Sequence, residues 1–191
     1  MQFLKKFFSN KNKNYDRDQE LEDLKMEKLP LDEVFVINFK KNGGKFFYPE
    51  DMDELKKELS AILEINNEKN YQTIERAYYH FLKKMNIPAK EYKDDSGILI
   101  GGCEYLIADD GAIMTTSKQL KHYRNNNLPK KRVIIATSNQ IVKDKRQALE
   151  EINKKYDDYP TNIQTISHFK ESENDLNGNT WLETYLFLIE K

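Results

Sequence analysis

Two adjacent acids, Asp109 and Asp110, followed by Gly111 and a little further on by Thr115, Thr116 and Ser117, form the stretch of this chain best equipped for chemistry. Carboxylates can act as bases or nucleophiles, but neighbours on an extended chain point to opposite faces, so these two make a poor catalytic pair. Asp-Asp-Gly also suits a hairpin turn, with Gly111 supplying a positive φ. The hydroxyls and backbone amides of residues 115–117 can bind a carboxylate or phosphate, or cap a helix that starts at 117–119. Beyond them lies a basic stretch, Lys118, Lys121, Arg124, Lys130, Lys131 and Arg132, with His122 and Tyr123 inside it. It reads as a solvated loop or as an anion-attracting rim. The candidate ligand-binding set is therefore Asp109, Asp110, Gly111, Thr115, Thr116 and Lys118, with Lys118, Lys121 and Arg124 the expected partners of a carboxylate ligand.

Other chemistry-bearing residues offer less. Gly101-Gly102-Cys103 follows a strand-like run but lacks the spacing of a dinucleotide fingerprint. Cys103 is the only cysteine, which excludes a disulfide framework and a four-cysteine iron–sulfur or zinc site within this chain. A buried structural thiol is its expected state, and a reducing compartment, the cytoplasm, fits such cysteine usage. His80, His122 and His168 show no metal-ligand spacing, and no metal site is expected.

These residues need elements to position them. Pro30 closes a charged helical stretch over 17–29, and Asp32 reads as the N-cap of a helix through Lys41, stopped at Gly43-Gly44. A strand at 45–48 precedes a helix opened by Pro49 and acidic residues, with Met52, Leu55, Leu59, Ile62 and Leu63 on one face. Periodicity predicts a helix over 71–85. Residues 97–102 read as a buried strand, 104–116 as a hairpin, 131–138 as a central strand, and 161–167 and 183–190 as further strands. The last is apolar on both faces and is expected to lie inside a sheet. Asp144 leads a helix carrying Ala148, Leu149 and Ile152. The expected organisation is a helical or flexible extension at 1–30 and one layered α/β domain at 31–191, with a partly parallel sheet.

Bulk properties bound the function classes. The chain has 191 residues, 38% of them hydrophobic and 12% aromatic, enough for one domain with its own core. Basic and acidic residues number 31 and 32, so no overall field steers the chain toward nucleic acid. No apolar run reaches the roughly 18 residues of a membrane span.

Read together, Gly101-Gly102-Cys103-Glu104-Tyr105-Leu106-Ile107-Ala108-Asp109-Asp110-Gly111-Ala112 resembles the signature stretch of the LUD-domain family, typified by lactate utilisation protein C. That family runs an apolar segment into Ile-Ala-Glu-Thr-Gly. Ile107, Ala108 and Gly111 match, while Asp109 stands for Glu and Asp110 for Thr. Arg132-Val133-Ile134-Ile135-Ala136 with Gln140-Ile141-Val142 resembles the family's later strand, and Phe35–Lys45 its opening helix and Gly-Gly turn. The likeness spans about residues 30–190. It departs at Ser167–Asn179, where a Thr-x-Asp-Ile-Glu segment and a Gly-Pro loop are absent.

The resemblance implies a layered α/β/α fold like the sugar-phosphate isomerase and CoA-transferase superfamily. It also implies an accessory or small-molecule-binding role in oxidising L-lactate or a related 2-hydroxy acid. The iron–sulfur clusters would then sit on partner subunits, and this chain would bind no cofactor of its own. Two other readings stay open: a stand-alone isomerase- or CoA-transferase-like enzyme on a phosphorylated or CoA-linked molecule, with Asp109 or Glu104 as its carboxylate, and a ligand-free interaction module.

Overall fold

The computed structural model describes residues 28–66, 70–169 and 182–190. The expected helical stretch at 17–29 thus lies almost wholly outside the described residues, as does most of the departure at Ser167–Asn179.

Helix α1 (Leu31–Lys41) starts two residues earlier than expected, with Pro30 rather than Asp32 as its N-cap. The Pro30 carbonyl accepts from Glu33 and Val34 N–H, each at 3.1 Å, which leaves Asp32 and Glu33 in the first turn, where acids favour the positive helix end. Strand β1 (Lys45–Phe47) follows, then α2 (Met52–Ile65), whose N-cap Asp51 accepts from Asp53 N at 2.9 Å and Glu54 N at 2.8 Å. Leu55, Leu59, Ile62 and Leu63 bury the expected stripe.

The expected helix at 71–85 is two elements: strand β2 (Tyr71–Thr73) and helix α3 (Arg76–Lys84). The apolar period from Ala77 through Leu82 is helical as read. Tyr71-Gln72-Thr73 instead pairs on both sides, with β3 (Ala89–Glu91) and with β4 (Ile98–Gly101). Sheet pairing of a short segment with strand propensity overrides the local helical count.

Strands β5 (Tyr105–Ile107) and β6 (Ala112–Thr115) form the expected hairpin, and a four-residue helix α4 (Ser117–Leu120) follows. Next come β7 (Lys131–Thr137), β8 (Ile141–Val142), α5 (Lys145–Lys155), β9 (Gln164–Ile166) and β10 (Glu183–Ile189). The main sheet is parallel throughout, in the order β1-β10-β7-β4-β2-β3, with β10 internal as its two apolar faces required. A second sheet runs β8-β5-β6-β9.

Helices lie on both faces of the parallel sheet. One face buries α2 and α3 against Ile98, Ile100, Val133, Ile135 and Phe187. The other carries α1, with Phe35 and Phe39, and beside it the small sheet, through Leu106 and Ile113. The outer side of the small sheet is covered by α5, through Ala148 and Ile152.

The hairpin turn docks on α1. Asn38 Nδ2 donates to the carbonyls of Ala108 (2.9 Å) and Asp109 (3.1 Å), and Asn42 Nδ2 donates to that of Asp110 (2.7 Å). Gly111 has φ +56°, and a Cβ there would lie 2.3 Å from the backbone of Asn38 and Phe39. Gly111→Ala is expected to cost about 2 kcal/mol, combining left-handed strain with displacement of α1. Chemical denaturation of the variant against wild type measures it; an unchanged midpoint would refute this account of the turn.

Candidate functional site

In a parallel sheet, the crevice suited to a ligand lies beyond the carboxyl ends of two neighbouring strands whose outgoing connections go opposite ways. Strands β2 and β4 are such a pair. From β2 the chain passes through α3 to the outer strand β3, whereas from β4 it passes through the small sheet to the inner strand β7. Glu75 lies just beyond β2, and Gly101-Gly102 ends β4. The Glu75 carboxylate accepts the Gly102 N–H at 2.7 Å across this crevice. A Cβ on Gly102 would fall 2.7 Å from the Tyr78 hydroxyl, so the Gly-Gly pair is what lets Glu75 and Tyr78 come so close. Tyr78 in turn donates to the Ile135 carbonyl at 2.8 Å.

Burial raises the Glu75 carboxyl to about 7, with the Gly102 hydrogen bond opposing the shift and the charge of Glu104 adding to it. A buried carboxyl near neutrality at a sheet switch point can give up and take back a proton at working pH.

From this crevice a cleft continues between the two sheets. Its floor is a row of cross-strand neighbours, Leu99, Arg132 and Thr184, with Gly101 and Ile134 in the next row. Its roof is Ile113 and Thr115 of β6 and Ile166 of β9, and Gln119 and Glu75 stand at its lining too. Its water-accessible interior is about 20 Å³, room for one water-sized group.

Two lining groups are incompletely paired. Arg132 is 3% exposed, and its guanidinium donates only to carbonyls: Pro129 O, Asn125 O at 3.1 Å and Asn125 Oδ1 at 3.4 Å. No carboxylate among the described residues pairs with it. Burial lowers it to about 10, which still leaves it charged at neutral pH. Thr115, also 3% exposed, has a buried hydroxyl with no hydrogen-bond partner among the described residues. An orphaned buried hydroxyl costs stability, so Thr115→Val, which keeps the shape, is expected to raise the unfolding free energy by about 1 kcal/mol. A thermal melt reads this, and a lower midpoint would contradict it.

A separate, fully satisfied network surrounds Glu104, whose side chain is 0% exposed. Oε1 accepts from Lys155 Nζ (2.7 Å) and Tyr156 OH (3.0 Å); Oε2 accepts from Gln119 Nε2 (3.0 Å) and Thr116 Oγ1 (3.3 Å). The network ties β5, α4 and the end of α5 together.

The six residues singled out from sequence do not come together. Asp109, Asp110 and Gly111 form the turn at one end of β6, and Thr115, Thr116 and Lys118 lie at its other end, about 13 Å away at strand rise. Asp109 and Asp110 are exposed, and Asp110 pairs with Lys145 at 3.3 Å. Thr116 caps α4 in a capping box with Gln119 and also reaches Glu104. The Lys118 ammonium sits 4.8 Å from the Tyr156 ring centroid. Lys121 and Arg124 are exposed; among the expected ligand residues, only Thr115 faces the cleft. Cys103 is buried, and desolvation together with Glu75 and Glu104 pushes its thiol well up, away from thiolate. His80, His122 and His168 are exposed, and no cluster of metal-ligating side chains occurs among the described residues.

Sequence alone does not single out Glu75, and it places Arg132 only within the basic stretch read as a loop or anion-attracting rim. Glu75 was hidden by the misread helix start. Arg132 had one signal: it is the last of the basic residues Lys130-Lys131-Arg132 and directly abuts the apolar run Val133-Ile134-Ile135-Ala136, which places its charge at the start of a strand bound for the core.

A family model described as the LUD domain matches residues 33–184. Among solved structures, a DUF162 family protein from Deinococcus radiodurans is similar, with a TM-score of 0.59 and 14% identity, over 85% of this chain and 99% of that one. At that identity the likeness shows a shared fold alone. No curated protein matches.

Proposed function

This chain belongs to the LUD-domain family, and on that footing we propose that it serves L-lactate utilisation as an accessory, small-molecule-binding protein beside iron–sulfur subunits. The family match over residues 33–184, in a family associated broadly with lactate utilisation, carries the reading. Oxidising a 2-hydroxy acid releases two electrons, which need an acceptor. Cys103 is this chain's single cysteine, buried and held protonated, and cannot supply a cluster's thiolates. The electrons would therefore pass through a partner. The cytoplasm is the compartment that this role and the cysteine usage suit, and no helix among the described residues is long and apolar enough to cross a membrane.

Glu75 favours a second reading. A buried carboxyl raised to about 7 at a switch point is suited to proton transfer, as a stand-alone enzyme of the isomerase or CoA-transferase kind would need.

The deciding experiment is affinity purification of the full chain, tagged, from its source cells grown anaerobically on L-lactate, with iron quantified in the eluate. Stoichiometric iron arriving with a cysteine-rich partner supports the accessory role. An iron-free eluate, together with undiminished growth on lactate when the gene is deleted, overturns it. Turnover of a sugar phosphate or acyl-CoA by the purified chain would establish the second reading.

A further inference from the structure

We propose that the cleft between the two sheets is a seat for the head group of a small monocarboxylate, held by the Arg132 guanidinium and the Thr115 hydroxyl. A buried charge without a counter-ion is costly, and proteins normally pair it. Arg132 is 3% exposed and meets only neutral carbonyls. A guanidinium carries five N–H donors; three are taken in those bonds, so two remain. On the opposite wall the Thr115 hydroxyl, equally buried, has no partner among the described residues. A single anion lying between them answers both deficits. Neither deficit requires the other, because Arg132 belongs to the main sheet and Thr115 to the small one.

The chemical class follows from charge and size. One uncompensated positive charge matches a monoanion. A dianion such as phosphate would bring a surplus negative charge into a cleft that Glu75 also lines. The planar fork of arginine fits a carboxylate in particular. With only about 20 Å³ inside, the cleft is smaller than a carboxylate, so its walls must part slightly to seat even an acid of two or three carbons, and a longer or branched acid would have to part the sheets further. The carbon next to that carboxylate would then lie toward the crevice that Glu75 occupies. The inference rests on the cleft itself and does not require that lactate be the acid.

The test is calorimetric titration of the full chain at pH 7 with acetate, L-lactate and pyruvate, alongside inorganic phosphate and chloride at matched ionic strength. The monocarboxylates are expected to bind saturably in the millimolar range, with phosphate and chloride at least ten-fold weaker. Thr115→Val is expected to weaken carboxylate binding about ten-fold, the loss of one hydrogen bond to a charged group, in a protein at least as stable as wild type. Arg132→Met is expected to abolish binding. Should Arg132→Met fail to fold, the Thr115→Val titration decides alone. Absence of saturable binding, chloride or phosphate binding as tightly as the carboxylates, or an unchanged affinity in Thr115→Val would each overturn the proposal.

Discussion

Glu104→Ala is expected to lower the unfolding free energy by about 3 kcal/mol, within the range seen when one member of a buried charge pair is removed. The Glu104 side chain is fully enclosed and accepts from four different residues. Truncation leaves the buried Gln119 amide donor unreceived, whereas the Thr116 hydroxyl can donate to Gln119 Oε1 at 3.2 Å and Lys155, half exposed, can turn to water. The loss therefore comes mainly from the stranded amide and the cavity rather than from Coulomb energy. Glu104→Gln, similar in shape, should cost roughly half as much. Acid should expose the same network. Burial alone would raise the Glu104 carboxyl, but hydrogen bonds from Lys155, Gln119 and Tyr156 outweigh it and hold the group below the ordinary range. A depressed carboxyl contributes stability above its unfolded value, and that contribution disappears as pH falls through the folded value. Denaturant unfolding between pH 7 and pH 3 should show the stability gap between wild type and Glu104→Gln closing at the acid end. A gap that stays constant would mean that the charge of Glu104 does not matter.

Glu75→Gln should have the opposite sign. The folded carboxyl titrates at about 7, against 4.5 for an unperturbed glutamate. Between those values the folded protein keeps a proton that the unfolded chain has lost, so stability falls as pH rises through that window. The total fall is about 3 kcal/mol, at 1.36 kcal/mol per pKa unit. The amide that replaces the carboxyl would still offer an oxygen to the Gly102 N–H and carries no charge to desolvate. The variant is expected to match wild type near pH 4 and to exceed it by about 3 kcal/mol at pH 8. Parallel stability–pH curves would sink the assignment of Glu75 as a buried, near-neutral carboxyl. A protein that is less stable for carrying this residue conforms to the usual trade between stability and a working site.

Much of the scaffold was legible in the sequence because its signals are local. Asp51 and Asp144 announce their helices through side-chain caps, and Gly111 announces the hairpin through a conformation that only glycine adopts readily. The apolar faces of β10 betray its internal place. What stayed illegible depends on partners distant in the chain. Tyr71–Thr73 became a strand because Ile98, Leu99 and Ala89 lie beside it, none of which a local period can see. The separation of β5–β6 into a second sheet, and with it the cleft, arises from where the hairpin lands on α1 through Asn38 and Asn42. Asp109 and Asp110 drew attention as acids, yet their carbonyls make the long-range contacts with α1. Arg132 looked like one more member of a basic loop, and only the sheet register with Leu99 and Thr184 turns it inward.

The strand order also shapes how the molecule can form. At one edge of the main sheet β1 pairs, among the described residues, only with β10, Lys45 with Tyr185 and Phe47 with Phe187, across about 140 residues of chain. Closing so long a loop is entropically costly, and parallel pairing at such separation slows folding. As the chain leaves the ribosome, β1 waits for β10 to arrive between it and β7. During that interval the nascent chain presents an apolar strand with open backbone groups, the kind of surface that chaperones cover and that neighbouring chains can join.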